Sequence, residues 1–150
     1  VGVAAFAVHP EPDLAARILA DKAAAGASFA ITQMFFDPTS YFDMVARVRA
    51  LGCELPIIPG IMPVTNLGQI QRFADMSGAP LPADLVGRLQ GAGENPDAVR
   101  SVGISAATDL CEQLIDGGAP GLHFFTLNRS RATREIYANL QGSRSLSHPA

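Results

Sequence analysis

Lysine is nearly missing from this 150-residue chain: Lys22 is the only one, and 11 basic residues face 14 acidic ones for a formal charge of −3. Such a surface has no basic stripe with which to track a phosphate backbone, so nucleic acid is not an expected partner. Also lacking is any apolar run near the roughly 18 residues that a membrane helix needs, and the first residues show no basic-then-apolar signal pattern. No membrane association is expected. Cysteine is scarce too, with Cys53 and Cys111 outside any CxxC or Cys/His cluster. This reads as free, buried thiols in a reducing compartment and points to the cytoplasm. No GxSxG elbow accompanies Ser130 and His123, which leaves a serine hydrolase without support. What remains is apolar: 48% hydrophobic against 17% charged residues gives one domain with a core of its own. The chain begins at Val1, without methionine and already inside a strand-like run, and is expected to continue upstream.

Three apolar, non-alternating runs read as strands buried on both faces: Val1 to Phe6, Phe29 to Phe36 and Leu55 to Met62. Their spacing of about 27 residues fits strand, loop, helix and loop in succession. Between them the period becomes helical. Leu14, Ile18 and Leu19 mark a helix that opens at Pro12-Asp13 and closes at Gly26, and Tyr41, Val45, Val48 and Leu51 mark another. The second is entered through Asp37 as N-cap with Pro38 at N1 and closed by Gly52. A third helix is expected from Asn66 through Leu67, Ile70 and Phe73. Gly78 to Pro82 is read as a vestigial strand and Ala83 to Leu89 as a short helix. A long helix follows from Asn95-Pro96 to Gly117, then a last strand over Gly121 to Leu127, a helix over Arg131 to Leu140 and a disordered tail over residues 142–150.

Alternating β and α with apolar strands means a parallel sheet covered by helices. A doubly wound sheet usually carries a glycine-rich phosphate turn after its first strand, and VGVAAFAVHPEP has none. A (β/α)8 TIM barrel fits better. Four to five βα units are too few to close one, so residues 1–141 read as its C-terminal half. In such barrels chemistry sits at the C-terminal ends of the strands. Here those ends carry His9-Pro10-Glu11, Gln33 to Asp37, Pro59 to Pro63 with Thr65 and Asn66, and Thr126 to Arg129.

These stretches resemble the methylenetetrahydrofolate reductase family. The resemblance is carried by Ala4-Ala5-Phe6 with the His-Pro-Glu after it, AITQMFFD from Ala30, IIPGIMPV from Ile57, APGLHFFTLNR from Ala119 and TREIY from Thr133. Five motifs in order span most of residues 1 to 140. The resemblance implies a TIM barrel with FAD at its mouth, NADH or NADPH as electron donor, and reduction of 5,10-methylenetetrahydrofolate to its 5-methyl form. Folate and nicotinamide would be its small-molecule partners, and it implies no metal.

Gln33 ends an apolar strand, where its amide can pair with a pterin edge or a nicotinamide carboxamide, or simply satisfy nearby backbone. The resemblance assigns it to both substrates in turn. Phe73, by position a core residue, is assigned to stacking on their ring systems, and Gln69, one turn earlier, to another substrate contact. Arg129 offers a planar, permanently charged fork that fits a carboxylate or an ion pair, and the resemblance places it on the folate side. Phe6, His9 and Lys22 match flavin contacts, although Lys22 also reads as an ordinary solvated lysine. The chain is shorter than the family around His9 and has Ala15 where the family has an aspartate. The family's proton-donating glutamate would lie upstream of Val1, leaving no catalytic residue in this segment. His9 with Glu11 supplies only two of the ligands a metal needs. Two readings stand: part of a complete flavin-dependent reductase, or a non-catalytic half-barrel. Open sheet edges would favour self-association, making a homo-oligomer possible.

Overall fold

The computed structural model describes residues 1–66, 68, 72, 74–75 and 78–147. Among them, four strands form one parallel sheet: β1 (Gly2–Ala5), β2 (Phe29–Met34), β3 (Ile57–Ile61) and β4 (His123–Phe124). The helices are α1 (Pro12–Ala24), α2 (Pro38–Ala50), α3 (Ala83–Gly91), α4 (Pro96–Asp116) and α5 (Arg131–Ser147). The spatial order β1-β2-β3-β4 follows the chain without reversal. A doubly wound sheet reverses at a switch point, so this order fits an arc of a barrel.

The helix ends follow local chemistry. Asp37 caps α2 by accepting the Thr39 N–H at 2.9 Å, and Asn95 caps α4 by accepting from the N–H groups of Asp97 and Ala98. At the far end of α1, Gly26 takes φ +101°, its N–H donates to the Ala23 carbonyl and that of Ala27 to Lys22. This left-handed turn suits glycine because a Cβ would crowd it.

All the helices contributing to the main core pack on one face of the sheet. Ala30 of β2 and Ile57 and Ile61 of β3 pack in one buried cluster with Leu19, Met44, Val48, Ile104, Cys111 and Leu114, and Thr32, Met34 and Pro59 are buried as well. Burying side chains of this size stabilises by about 1.5–3 kcal/mol each before entropic costs. Tyr41 reaches from α2 to donate its hydroxyl to the Ile57 carbonyl at 2.8 Å, and burial raises its phenol pKa. Both cysteines are free, and desolvation pushes the buried Cys111 thiol up to about 12.

The opposite face is open. Gly2, Ala4, Phe29, Ile31 and Gln33 lie on it, with His123 and Phe125 from the β4 side. Two of its aromatic rings lie over glycines. A Cβ on Gly2 would come within 2.6 Å of the Phe29 ring, and one on Gly60 within 2.6 Å of the Phe125 ring.

Several boundaries differ from expectation. The last strand pairs over His123–Phe124 only, because the chain turns at Thr126: Arg129 N–H donates to the Thr126 carbonyl at 2.8 Å, and Leu127 and Asn128 have φ of 48° and 61°. Residues 79–82 form no strand. The last helix, expected over Arg131 to Leu140, continues through Gly142 to Ser147. No proline intervenes before Pro149, one internal glycine costs only about 1 kcal/mol, and the Ser143 hydroxyl bonds back to the Asn139 carbonyl. Of the third expected helix, Gly68, Arg72, Ala74 and Asp75 are helical, while Leu67, Gln69, Ile70 and Phe73 lie outside the described residues.

Arg100 of α4 forks onto Glu135 of α5 with two 2.8 Å hydrogen bonds. The Arg100 guanidinium holds the Glu135 carboxyl below the usual carboxylate range. A lowered folded-state pKa means that this pairing stabilises above the unfolded carboxylate pKa of about 4.3 and is lost as pH falls through the folded value. Glu135→Gln is therefore expected to lower the urea midpoint near neutral pH, with the gap to wild type closing as pH falls below the usual carboxylate range. A gap unchanged with pH would contradict the pairing. Gly60→Ala is expected to cost about 3 kcal/mol in urea unfolding, since its Cβ would also fall well inside contact distance of the Thr32 carbonyl.

Candidate functional site

The C-terminal ends of the strands carry the polar side chains, and the geometry there begins with a defect in the sheet. Ala30 pairs with Ile57 and Ile31 with Ile58, but the next pair is Met34 with Gly60. Thr32 and Gln33 thus stand opposite the single residue Pro59, which makes a bulge on β2. The Gly60 N–H, which faces β2, donates to the Thr32 hydroxyl at 2.8 Å in a fully buried setting.

Beyond the bulge Gln33 is exposed on the open face, in a groove with Phe6, Phe29, Ile31, His123 and Phe125. Its Oε1 accepts the Met34 N–H at 3.1 Å. That bond satisfies local backbone and leaves the amide N–H donors unpartnered among the described residues. His123 packs edge-on against Phe125, with centroids 5.0 Å apart. The groove therefore combines an aromatic floor with amide donors at its end, an arrangement suited to a planar heterocycle with acceptors on its edge.

A second cleft of about 310 Å³ opens beside it, and Phe125 lines both. Arg100, Arg129 and Arg131 converge there with Thr65, Asn66 and Thr126, and no carboxylate is among its lining residues. Arg129 follows directly on the left-handed pair Leu127-Asn128. Left-handed backbone at a leucine costs roughly 1–2 kcal/mol, a strain often found at binding sites. Arg129 is exposed, whereas Arg100 forks onto Glu135 and Arg131 lies 3.4 Å from the same carboxylate. Three guanidiniums with no carboxylate in the lining give the cleft a positive character.

Of the remaining residues singled out from sequence, Phe6 lines the same groove as Gln33, while His9 and Lys22 do not. Phe6 lies at the exit of β1, 45% exposed, with its ring tilted against His9 at 6.3 Å. His9 Nδ1 lies 3.0 Å from both the N–H and the carbonyl oxygen of Glu11, so the ring is tied to the backbone. Lys22 donates to the Ala4 carbonyl at 2.9 Å and lines neither cleft. Gln69 and Phe73 are outside the described residues. Among the described residues no group of three His, Cys, Asp or Glu stands close enough to hold a metal, and no helix is long and apolar enough to cross a membrane.

Sequence reading had missed Phe125, Arg100 and Arg131 as site residues. For Phe125 the signal was period two, since His123 and Phe125 alternate with the core-facing Phe124. The arginines carried no local signal, because helix packing brings them to the cleft.

The family model for methylenetetrahydrofolate reductase matches residues 1–141. A 5,10-methylenetetrahydrofolate reductase of Pectobacterium carotovorum is 39% identical over 140 residues, 91% of this chain and 47% of that protein. A probable methylenetetrahydrofolate reductase (NADPH) of Caenorhabditis elegans is 36% identical over 145 residues, 93% of this chain and 22% of the relative. The Arabidopsis thaliana methylenetetrahydrofolate reductase (NADH) 1 is 35% identical over 122 residues, 81% and 21% of the two chains. The chain thus spans about half of the bacterial relative and about a fifth of the other two. In structure it is similar to an uncharacterized protein from Clostridium thermocellum that binds two copies of 5-methyl-5,6,7,8-tetrahydrofolic acid. The TM-score is 0.60 at 17% identity, over 93% of this chain and 52% of that one, a likeness of fold. With a parallel sheet in chain order, its polar groups gathered at the strand exits and the family's pattern running from Val1 to Gln141, the chain belongs to the methylenetetrahydrofolate reductase family.

Proposed function

We propose that this chain supplies the substrate-binding face of a reductase that converts 5,10-methylenetetrahydrofolate to 5-methyltetrahydrofolate with NADH or NADPH, as four βα units of a (β/α)8 barrel. The observation that carries this reading is Gln33, raised by the β2 bulge onto an aromatic floor at the strand ends, where barrel enzymes bind their ligands. Its amide donors can meet the carboxamide of a nicotinamide and, in turn, the polar edge of a pterin, while Phe125 offers either ring a face. Arg129 and Arg131 supply the charge to hold a folate carboxylate in the adjoining cleft. Gln69 and Phe73 complete the proposed substrate contacts. The named nicotinamide donors of the Caenorhabditis and Arabidopsis relatives support a nicotinamide ligand.

A flavin fits the exit of β1 in part. Phe6 and His9 present exposed ring surface there, suited to holding a planar group, whereas Lys22 is turned to the Ala4 carbonyl. FAD, when bound, would supply the capacity to take a hydride from the nicotinamide and return it to the folate. The proton donor for ring opening would come from residues outside this chain, and the cytoplasm is the proposed compartment. The second reading, a half-barrel that does not catalyse, is favoured by that Lys22 contact and by Ala15. Nicotinamide-dependent folate reduction by the full-length protein separates the two, since the half-barrel reading requires none.

Gln33→Ala is expected to weaken both NAD(P)H and 5-methyltetrahydrofolate. Each loss corresponds to one neutral hydrogen bond, about 0.5–1.5 kcal/mol or up to about tenfold in dissociation constant. Fluorescence titrations with each ligand check this. A defect confined to one ligand would sink the shared site.

A further inference from the structure

We infer that Thr32 is a positioning residue for ligand binding, acting through the bulge that presents Gln33; this rests on the assignment of Gln33 as a substrate contact made above. Thr32 borders the groove, but its hydroxyl is engaged by the Gly60 N–H. Its side chain points to the helix-covered face, is 1% exposed and is the only fully buried polar side chain in β2. A hydroxyl there is costly unless it is used, and its use is to accept the Gly60 N–H at 2.8 Å.

Three features of the two strands make that hydrogen bond the element that holds the bulge. The register shifts between Ile31 and Met34, and there the Gly60 N–H, which faces β2, is taken by a side-chain oxygen of β2. Gly60 carries no side chain, which lets the β2 backbone approach so closely that any Cβ would overlap the Thr32 carbonyl. The Thr32 hydroxyl then stands in for the missing ladder acceptor, and β2 accommodates one extra residue. That residue is Gln33. Its Oε1 takes the Met34 N–H at 3.1 Å, which orients the amide on the open face beside Phe125. Removing the hydroxyl leaves the buried Gly60 N–H unpaired, and the strand pair relieves this by shifting the bulge, which moves Gln33. Such a displacement is enough to lose ligand hydrogen bonds.

Valine has the shape of threonine without the acceptor, and serine keeps the acceptor without the methyl group. Dissociation constants for 5-methyltetrahydrofolate are measured on the full-length protein for Thr32→Val, Thr32→Ser, Gln33→Ala and the Thr32→Val/Gln33→Ala double variant, with thermal unfolding of each alongside. The expected result is about a tenfold loss for Thr32→Val, matching Gln33→Ala, binding within about twofold of wild type for Thr32→Ser, and no further loss in the double variant. A merely structural threonine would lower the melting temperature yet leave the effects of the two substitutions multiplicative. If Thr32→Val is recovered unfolded, Thr32→Cys takes its place, because a thiol fills similar space but accepts weakly. Wild-type binding by Thr32→Val or Thr32→Cys alongside an impaired Gln33→Ala overturns the inference about Thr32, as does a multiplicative double variant. Wild-type binding by Gln33→Ala instead overturns the assignment of Gln33 on which it rests.

Discussion

One hydrogen bond, from the Gly60 N–H to the buried Thr32 hydroxyl, holds the irregular stretch of the parallel sheet on which the site depends. β2 carries one residue more than β3 between Ile31 and Met34. The bulge sets Gln33 apart from the residues that pack on the helices. Gly60 serves the two sides of β3 at once, giving room to the Thr32 carbonyl on one side and to the Phe125 ring on the other. The aromatic floor and the polar group at its end therefore meet at Gly60.

The second cleft depends on a different constraint, the packing of α4 on α5. The Arg100–Glu135 fork pins the first turns of α5 next to the β4 exit, and the left-handed turn at Leu127-Asn128 brings Arg129 round to the same place. Because Phe125 belongs to both clefts, a ligand with a planar head and an anionic tail could span them, and a folate has that form. The two clefts are thereby shaped by different parts of the fold, one by β2 and β3 and the other by the α4–α5 pair.

The order of elements was legible in the sequence because it rests on local chemistry: apolar runs at a regular spacing, Asp37-Pro38 and Asn95-Pro96 at helix starts, Gly26 and Gly52 at helix ends. Where boundaries departed, the cause was not local. The pairing of β4 ends early because the chain turns at Thr126, and α5 extends because a single glycine does not stop a helix. For the site, Gln33 and Arg129 were visible as polar residues at apolar strand ends, and the structure places them at adjoining clefts that share Phe125. Thr32 was invisible as anything but one more strand residue. Its importance comes from the residue opposite it, and a register shift cannot be read from one strand alone.

The account's central claim is that the open face of the sheet, at the strand exits, is where folate binds. A crystal structure of the full-length protein with 5-methyltetrahydrofolate tests this most directly. The account predicts the pterin against Phe125 with its edge within hydrogen-bond distance of the Gln33 amide, and the carboxylate end towards Arg129. A folate bound on the helix-covered side, or at the strand exits with Gln33 and Phe125 both out of contact, would contradict it.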